Sequence, residues 1–520
     1  MILVHSTQRP NTKSKMGVKD SDFRKSCVKY VLIALLILIF CIICILVALY
    51  VVANNAGYAF ALLIDAGSTS SKLSVFSWKD WPYIENGYVQ ELGASKVSPG
   101  ISFYKDDPVK AFSTMESSIH DLASKYIPSH VQSRTHQYLA ATAGMRLLNL
   151  ENPLKSDAII EALQLNLHRT GLKLGNPYSD VRVMSGRDEG IYAFITVNYL
   201  LGNFGDRHTS PVNQMNTVGS LDLGGASTQI AFVPASDQNV PHISTQKLFG
   251  NGYRIYSFSY LCYGKSAAEK RIWAEIISKQ NDFTSPIENP CLHEGKVIVI
   301  NAPPLFNDQC VSGGYAPDLV GSVLTKPANL PENVTFKGTG DPDQCRILVQ
   351  TMFQTNKPCS QNPCMFGGIP RPDLRGKFYA FSGFTYSAEF YGLLDKSTTR
   401  DEYKAAVDKF CKMPYSEVEN LEGYSAFTYI FCFDGVYIEA LLAGYGFEES
   451  ESWKSITFAN KINNAGVSWA MGYTIDATGM IESASPQIRL ELKAFIASVV
   501  VLSIIFIVLL ALLLYIILRK

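Results

Sequence analysis

Two long apolar runs, one near each end, dominate the hydrophobic pattern of the 520-residue chain. Residues 30–53 and residues 495–518 contain no charged side chain, and each run exceeds the roughly 20 residues that a helix needs to cross a bilayer. Neither run shows the polar stripe of a helix packed on a globular core. A cleaved signal peptide is the alternative for the first run, but that run is long and no small-x-small cleavage site directly follows it. We therefore predict two transmembrane helices.

The flanking charges predict how these helices are oriented. Seven basic residues and two acidic ones precede the first run, and the basic residues are Arg9, Lys13, Lys15, Lys19, Arg24, Lys25 and Lys29. Because positive charge stays on the cytoplasmic side, we expect residues 1–29 and 519–520 inside the cell and the long middle segment outside, at the plasma membrane. The formal net charge of zero provides no basic face for nucleic acid.

Eight cysteines lie in the middle segment: Cys262, Cys291, Cys310, Cys345, Cys359, Cys364, Cys411 and Cys432. Their even number in an exported domain indicates four disulfides, with free buried thiols as the alternative. No CxxC pair occurs, so the pattern does not indicate a zinc site. Asn333 begins an Asn-Val-Thr sequon and is the candidate glycosylation site.

Hydrophobic periodicity in the middle segment predicts alternating strands and helices, which is typical of an α/β fold. The strand-like stretches are 59–64, 72–78, 137–141, 220–223 and 467–475, and the helix-like stretches are 191–201 and one beginning at Ser450. Residues 300–375 are rich in Pro, Gly, Asn and Asp and hold four of the eight cysteines. We expect that part to be an irregular insertion held by disulfides.

One pattern occurs twice, at 64–70 as Ile-Asp-Ala-Gly-Ser-Thr-Ser and at 221–227 as Leu-Asp-Leu-Gly-Gly-Ala-Ser. Each copy joins an apolar strand end to a turn of small residues, and an alternating apolar stretch follows. A single copy is typical of an ordinary glycine hairpin, whereas a matched pair predicts two related lobes. We expect lobe I to span 54–185, with 460–493 returning to it, and lobe II to span 186–459.

The repeated turn has the chemistry of a phosphate site. Small residues let backbone N–H groups approach an anion, and the hydroxyls of Ser68, Thr69 and Ser70 can add hydrogen bonds. The strand-end carboxylates of Asp65 and Asp222 would repel phosphate unless a cation lay between them. An all-oxygen site of this kind predicts Ca²⁺ or Mg²⁺ as the cofactor.

Two further stretches carry candidate site residues. Thr142 follows a strand-like stretch and could contact a phosphate, while Arg146 could pair with a phosphate, with a carboxylate, or in a purely structural ion pair. Glu189 lies in the first turn of a helix-like stretch, where an acidic residue is favourable with the helix dipole. Beside a phosphate site, the same carboxylate could activate a water molecule.

Five segments in order resemble the ecto-nucleoside triphosphate diphosphohydrolases, or apyrases: Asp65–Ser71, Ala141–Arg146, Gly186–Gly190, Asp222–Gln229 and Ser468–Gly472. The resemblance covers almost the whole middle segment, and the two terminal spans are similar to those of the cell-surface branch. It implies an actin-like (ribonuclease-H-like) α/β fold of two lobes with the active site in the cleft between them. It also implies hydrolysis of extracellular ATP and ADP to the monophosphate, and thereby control of purinergic signalling.

The resemblance further implies roles for individual residues. The catalytic set would be Glu189 as general base, with Ser227 and Gln229 positioning the water. The metal set would be Asp65, Asp222 and Trp469, acting through water molecules. The phosphate-binding set would be Ser68, Thr69, Ser70, Thr142, Gly225 and Ala226. The base-binding set would be Tyr386, which would stack on the base, together with Ser382 and Lys265.

The resemblance implies the disulfides Cys262–Cys310, Cys291–Cys345, Cys359–Cys364 and Cys411–Cys432. The chain departs from the family at two places: surface members usually carry His where Ser70 stands, and the cysteines of the family's usual first disulfide are missing. The expected partners are nucleotide substrates and the lipid bilayer, and the chain is also a candidate for homo-oligomer formation.

Two other interpretations compete with this one. A sugar kinase or exopolyphosphatase could use the same actin-like scaffold, since a fold alone does not determine function. A nucleotide-binding receptor or adhesion protein with an inactive site would bind nucleotide without turnover, but the intact carboxylates Glu189, Asp65 and Asp222 argue against it.

Overall fold

Two compact units make up the computed structural model, which describes residues 13–54, 58–79, 89–204, 214–235, 240–248, 251–354, 357–477 and 492–518. The first unit holds the two terminal helices, and the second holds the middle segment. The α-helices are α1 Lys13–Asn54, α2 Pro108–Tyr126, α3 Ser129–Gln132, α4 Ala143–Glu151, α5 Pro153–Asn166, α6 Pro177–Asp180, α7 Gly186–Leu200, α8 Lys265–Ser278, α9 Ala316–Val320, α10 Pro342–Gln350, α11 Gly383–Phe390, α12 Arg400–Cys411, α13 Tyr415–Val418, α14 Phe431–Tyr445, α15 Trp469–Ala477 and α16 Leu492–Leu518.

The strands are β1 Tyr58–Ala66, β2 Ser71–Lys79, β3 Gln90–Val97, β4 His136–Ala141, β5 Val181–Val183, β6 Gly219–Leu223, β7 Ser227–Phe232, β8 Ile243–Leu248, β9 Asn251–Leu261, β10 Ile287–Asn289, β11 Val297–Asn301, β12 Asn333–Gly338, β13 Cys364–Met365, β14 Ile369–Pro370, β15 Phe378–Ser382, β16 Ile456–Phe458, β17 Lys461–Ile462 and β18 Ala465–Gly466.

In the first unit, α1 and α16 pack against each other through Leu32, Leu36 and Leu513. The rings of Tyr50 and Phe495 stack with 4.0 Å between their centroids. The apolar parts of these helices, Ser26–Val51 and Lys493–Leu518, are long enough to cross a membrane, and few of their residues are buried. By length and composition the two helices therefore suit membrane spans, as the sequence predicts.

Two sheets form the centres of the two lobes. Sheet I has the order β3-β2-β1-β4-β5, and sheet II has the order β16-β15-β6-β7-β9-β8. In sheet I, β1 lies between its hairpin partner β2 and the parallel strand β4. In sheet II, β6 lies in the same way between the antiparallel β7 and the parallel β15. The α/β fold of two related lobes is confirmed, and the exact domain boundaries remain a prediction.

Helices α7 and α15 form a layer between the two sheets. A single apolar cluster contains residues of β1 and β4 from sheet I, residues of α7 and α15, and residues of β7 and β15 from sheet II. The backbone N–H of Gly472 on α15 donates to the Thr196 hydroxyl on α7 over 2.8 Å. The carboxyl ends of β1 and β6 consequently reach one cleft from opposite sides.

The structure differs from the sequence predictions at two places near the end of the second unit. The strand predicted over 467–475 is the helix α15, and the helix predicted to begin at Ser450 is the short 3-10 helix Ser450–Ser455. A short apolar run that is buried on all sides does not distinguish a helix from a strand, and α15 is buried along most of its length.

The predicted irregular insertion is more regular than its composition indicates, because it contributes strands of the three-stranded sheet β10-β12-β11 and the helices α9 and α10. Four disulfides join Cys262–Cys310, Cys291–Cys345, Cys359–Cys364 and Cys411–Cys432. These are the pairs that the family resemblance implies. Asn333 is exposed at the start of β12, opposite Asn301 of β11.

Candidate functional site

The two glycine turns face each other across a cavity of about 1160 Å³. A Cβ atom added to Gly225 would lie only 2.5 Å from the Ser68 hydroxyl oxygen and 3.2 Å from Cγ2 of Thr69. A Cβ atom at Gly144 would lie 2.7 Å from Cα of Ser68 on its other side. The turns after β1 and β6 therefore share one site, and glycine is required where the backbones come this close.

Four strands deliver the polar groups of this site. The turns 67–70 and 224–226 connect β1 to β2 and β6 to β7, while Thr142 and Ser382 stand at the carboxyl ends of the parallel neighbours β4 and β15. Parallel strands that end at one edge of a sheet place their terminal residues together, which is where α/β proteins bind ligands. All of these residues line the cavity.

The turns present backbone donors as well as hydroxyls. Within the described part of the chain, no acceptor is bonded to the backbone N–H groups of Ser68, Thr69, Gly225 or Ala226. Successive free N–H groups in a turn of small residues form an anion-binding concavity. The hydroxyl of Ser70 lines the same cavity. The arrangement suits a phosphate group.

Three carboxylates converge beneath the turns. Burial, followed by the neighbouring charges of Glu189 and Asp222, holds the pKa of Asp65 well above its usual range. Burial and the charge of Glu189 raise the pKa of Asp222 to about 7, although a hydrogen bond from the Ser382 side chain opposes this shift. Burial also raises the pKa of Glu189, against the opposing effect of Arg146. Such mutual repulsion is relieved by a cation.

The residues present fit a hard divalent cation held through water. Asp65 and Asp222 supply oxygen, the ligand type that Ca²⁺ and Mg²⁺ prefer. Across the described ranges, no three His, Cys, Asp or Glu side chains lie close enough together to enclose an ion directly. An ion between the two aspartates would therefore keep several of its waters. Trp469, at the start of α15, is buried and lines the same cavity.

Glu189 is fixed by a compact hydrogen-bond network. It lies in the first turn of α7, where the Ser185 side chain caps the helix by accepting from the N–H of Asp188. Its Oε2 accepts from Nη2 of Arg146 over 2.7 Å and from Nε2 of Gln229 over 3.1 Å. The helix cap and these two donors determine where the carboxylate points.

Ser227 and Gln229 complete that network from β7. The hydroxyl oxygen of Ser227 accepts from Arg146 over 2.9 Å and from Gln229 over 2.7 Å. The Gln229 amide also donates to Ser259 over 2.9 Å, while its buried Oε1 has no hydrogen-bond partner in the described part of the chain. The catalytic residues that the resemblance implies are thus in contact with one another.

The expected base-binding side chains of Tyr386 and Lys265 form a second group in the cavity, which we call its base end. Tyr386 on α11 is 52% exposed, and Nζ of Lys265 lies 5.8 Å from the centre of its ring. Lys265 forms an ion pair of 2.6 Å with the buried Asp434, and its Nζ lies 5.8 Å from the ring of Phe431. Ser382, by contrast, lies beside Asp222 and so reaches the phosphate end.

Sequence reasoning missed several residues of the cavity and left the partner of Arg146 open. The missed lining residues are Phe427, Phe431, Glu269, Lys72 and Lys96, and Asp434 was missed as the ion-pair partner of Lys265. One of them had a detectable signal, because Asp434 is an acidic residue in the otherwise apolar opening of α14. A buried acid of that kind requires a partner. Nothing local in the sequence marks the others.

Comparisons with known proteins identify the family of the chain. Residues 51–494 match the GDA1/CD39 (nucleoside phosphatase) family. The chain is 31% identical over 488 residues to mouse ectonucleoside triphosphate diphosphohydrolase 1, which covers 90% of this chain and 91% of the relative. It is 32% identical over 437 residues to mouse ectonucleoside triphosphate diphosphohydrolase 8, a match that covers 82% of this chain and 84% of the relative. It is also 32% identical over 450 residues to the human enzyme numbered 3 (84% and 81% covered).

Among solved structures, the fold is similar to that of a nucleoside triphosphate hydrolase from Neospora caninum. The TM-score is 0.59 at 17% sequence identity, and the match covers 85% of this chain and 96% of that protein. At this identity the likeness concerns the fold alone.

Proposed function

The chain belongs to the GDA1/CD39 (nucleoside phosphatase) family, and from that premise we propose that it is a nucleoside triphosphate diphosphohydrolase. It removes the terminal phosphates of ATP and ADP and leaves the monophosphate. The observation that supports this most directly is the meeting of two phosphate-type turns above a buried, hydrogen-bonded Glu189. A protein that only bound nucleotide would need the turns but no buried base, so the site favours hydrolysis.

Glu189 acts as the general base. Burial raises its pKa above the ordinary value of a glutamate, which makes the carboxylate a better acceptor for the proton of an attacking water. The water oxygen forms a bond to the terminal phosphorus, its proton passes to Glu189, and the bond from phosphorus to the bridging oxygen breaks. The products are orthophosphate and a nucleotide shorter by one phosphate, and no covalent enzyme intermediate is required.

Gln229 and Ser227 position the water. The free Oε1 of Gln229 is an acceptor for one water proton, and the Ser227 hydroxyl lies 2.7 Å from Nε2 of the same amide. Both side chains are buried on β7, so their positions do not depend on mobile surface groups. An oriented water close to its base lowers the entropic part of the barrier.

Arg146 positions the side chains of Glu189 and Ser227. One guanidinium nitrogen, Nη2, bridges Glu189 and Ser227, and its charge opposes the rise in the Glu189 pKa. A buried carboxylate without such a partner would remain protonated near neutral pH. Arg146 is therefore a positioning residue whose charge favours the ionised form of Glu189.

Ca²⁺ or Mg²⁺, held by Asp65 and Asp222 through water, would neutralise charge on the phosphates as the bond to the leaving oxygen breaks. The turn N–H groups of Ser68, Thr69 and Gly225 donate to the phosphate oxygens, and Thr142 and Ser70 add hydroxyls. These donors are fixed by the backbone before the reaction, which is what makes charge stabilisation effective.

The nucleoside occupies the opposite end of the cavity. The exposed ring of Tyr386 offers a face on which a base can stack, and Lys265 lies above the same ring. Burial raises the pKa of Asp434, and the ion pair with Lys265 partly offsets that effect.

We place the catalytic unit outside the cell, anchored by α1 and α16 at the plasma membrane. The basic residues before the first span, the four disulfides and the sequon at Asn333 all favour that orientation. A catalytic unit at this location would lower extracellular ATP and ADP and so act on purinergic signalling.

The decisive experiment follows nucleotides in the medium of intact cells. Cells expressing the full chain receive ATP or ADP with Ca²⁺ or Mg²⁺, and ADP, AMP and orthophosphate are measured over time. We expect AMP and orthophosphate to accumulate with both substrates, and no accumulation above background from cells expressing Glu189→Gln. Release only after the cells are permeabilised would contradict the orientation, and no release in either condition would contradict the activity.

A further inference from the structure

Two lysines on the lobe I side of the cavity have no role in the mechanism above. Lys72 on β2 and Lys96 on β3 are direct partners in the antiparallel register of sheet I. Both line the cavity together with the turn 67–70, which begins at the end of β1. Side chains at directly opposed positions lie on the same face of a sheet. The two side chains therefore start from the same face of sheet I and both reach the cavity that holds the phosphate turn.

Two like charges at opposed cross-strand positions destabilise a sheet. Lys72 offsets part of this cost through an ion pair of 2.9 Å with Glu91. The same Oε1 of Glu91 accepts from the Ser74 hydroxyl over 2.7 Å, which keeps the carboxylate beside Lys72. Lys96 is exposed and has no ion-pair partner in the described part of the chain.

The other lysine that lines the cavity is committed elsewhere. Lys265 pairs with Asp434 at the base end over 2.6 Å. Lys96 is therefore the uncommitted lysine among the described cavity residues. An ammonium group is a compact charge that binds phosphate without demanding a fixed geometry. A pair of them that is unfavourable alone becomes favourable once a doubly charged anion lies between them.

We propose that Lys72 and Lys96 form a cationic clamp that receives the terminal phosphoryl group of the nucleotide and retains the orthophosphate product after cleavage. The clamp rests on the proposed hydrolase activity and adds to it a subsite for one defined ligand. Glu91 acts as a counter-charge that holds Lys72 when no anion is present. Because the clamp contacts the terminal group in substrate and product alike, it strengthens binding more than it speeds the chemical step.

Lys96→Met in the full chain tests the clamp, with orthophosphate as a competitive inhibitor of ATP hydrolysis. A charged hydrogen bond contributes enough that its loss corresponds to about a tenfold change in affinity. We therefore expect the inhibition constant of orthophosphate and the KM values for ATP and ADP to rise about tenfold, with kcat nearly unchanged. Inhibition by AMP should not change, because AMP carries only the phosphate attached to its ribose and lacks the phosphoryl group that the clamp receives.

Two more variants test the role of Glu91 and control for the loss of a positive charge. Glu91→Gln releases Lys72 while keeping an acceptor for Ser74, so orthophosphate should inhibit more strongly than in the parent. Lys110→Met removes the same charge from an exposed helix position of lobe I, outside the cavity, and should leave every constant at the parental value.

Unchanged orthophosphate inhibition in Lys96→Met would overturn the clamp. An equal loss of AMP inhibition would overturn it too, because Lys96 would then act only through overall charge. Weaker orthophosphate inhibition in Glu91→Gln would overturn the role of Glu91. A parent that releases no phosphate from ATP would instead refute the proposed function, so the two failures are distinguishable.

Discussion

The two ends of the cavity are built in different ways. At the phosphate end, both sheets contribute, and Glu189, Asp222 and Gln229 are at most 6% exposed. At the base end, the exposed rings of Tyr386 and Phe427 come from lobe II alone. The first arrangement is fixed by buried hydrogen bonds, and the second depends on one ion pair and exposed aromatic faces. On the proposed function, the groups that carry out the chemistry are buried, whereas the ring proposed to stack on the base is exposed.

Removing the cation should have the largest effect, because it acts on the phosphate end as a whole. We expect a chelator to reduce hydrolysis to background and added Ca²⁺ or Mg²⁺ to restore it. Asp222→Asn removes one of the two charges that hold the ion. The Ca²⁺ concentration for half-maximal activity should therefore rise by a factor of about ten or more. Titration of activity with Ca²⁺ measures both effects. Full turnover in metal-free buffer would refute the cation site.

Glu189→Gln should cause the second-largest loss of activity. A general base contributes about 10²- to 10⁴-fold, so we expect kcat to fall by about 10³-fold while nucleotide affinity stays near the parental value. Steady-state kinetics with ATP, together with nucleotide binding measured on the inactive variant, separates these quantities. Glu417→Gln, at an exposed position outside the cavity, is the matched control. A variant at position 189 with near-normal kcat would remove Glu189 from the base role.

Arg146→Met should have an intermediate effect with a pH signature. Arg146 lowers the pKa of Glu189 against the effect of burial, so its loss raises that pKa further. Glu189 must be ionised to accept a proton, and a higher pKa leaves less of it ionised at neutral pH. We expect a fall in kcat of about 10- to 100-fold at pH 7, in the range of a general-base contribution, and partial recovery as the pH rises.

The kcat profile against pH checks this result. Its acidic limb should move to higher pH in Arg146→Met and lie nearer to the parental position in Arg146→Lys, which keeps the charge. A uniform loss at every pH, with no movement of the limb, would show that Arg146 acts only on the structure.

Of the four changes considered, Tyr386→Ala should have the smallest effect. It should weaken nucleotide affinity and leave the rate of the chemical step nearly unchanged. Stacking of a base on an aromatic ring contributes about 1–3 kcal/mol, so KM for ATP should rise about tenfold with little change in kcat. Tyr386→Phe keeps the ring and should behave like the parent. A comparable fall in kcat for Tyr386→Ala would erase the distinction between the two ends of the cavity.

The meeting of the two turns could be predicted because each turn is a short local motif and the motif occurs twice in the sequence. The repeated turn placed Asp65 and Asp222 in equivalent strand ends, and the structure brings those ends to one cavity. Glu189 is a candidate because it lies in the first turn of a helix-like stretch, and its role as base comes from the family resemblance. Each of these signals is local, so a single sequence carries it.

The other contacts of the site depend on which helices and strands meet after being far apart in the sequence. No local sequence pattern predicts those meetings. The ion pair of Lys265 with Asp434 joins residues 169 positions apart. For Arg146, the sequence leaves a phosphate, a carboxylate and a purely structural ion pair open. The helix α15 was predicted as a strand because its apolar residues are buried on all sides against α7. The pairing of Lys72 with Lys96 likewise depends on the register between β2 and β3.

The crowding around Ser68 has a consequence for the shape of acceptable substrates. Gly225 approaches it across the cavity, Gly144 touches it from behind, and a Cβ atom at Gly100 would lie 2.5 Å from the carbonyl oxygen of Gly67. The turn therefore has little room to move away from the cavity. If the proposed hydrolysis takes place against this turn, we expect a nucleotide with an unsubstituted terminal phosphate to be preferred over a polyphosphate esterified by a nucleoside at both ends.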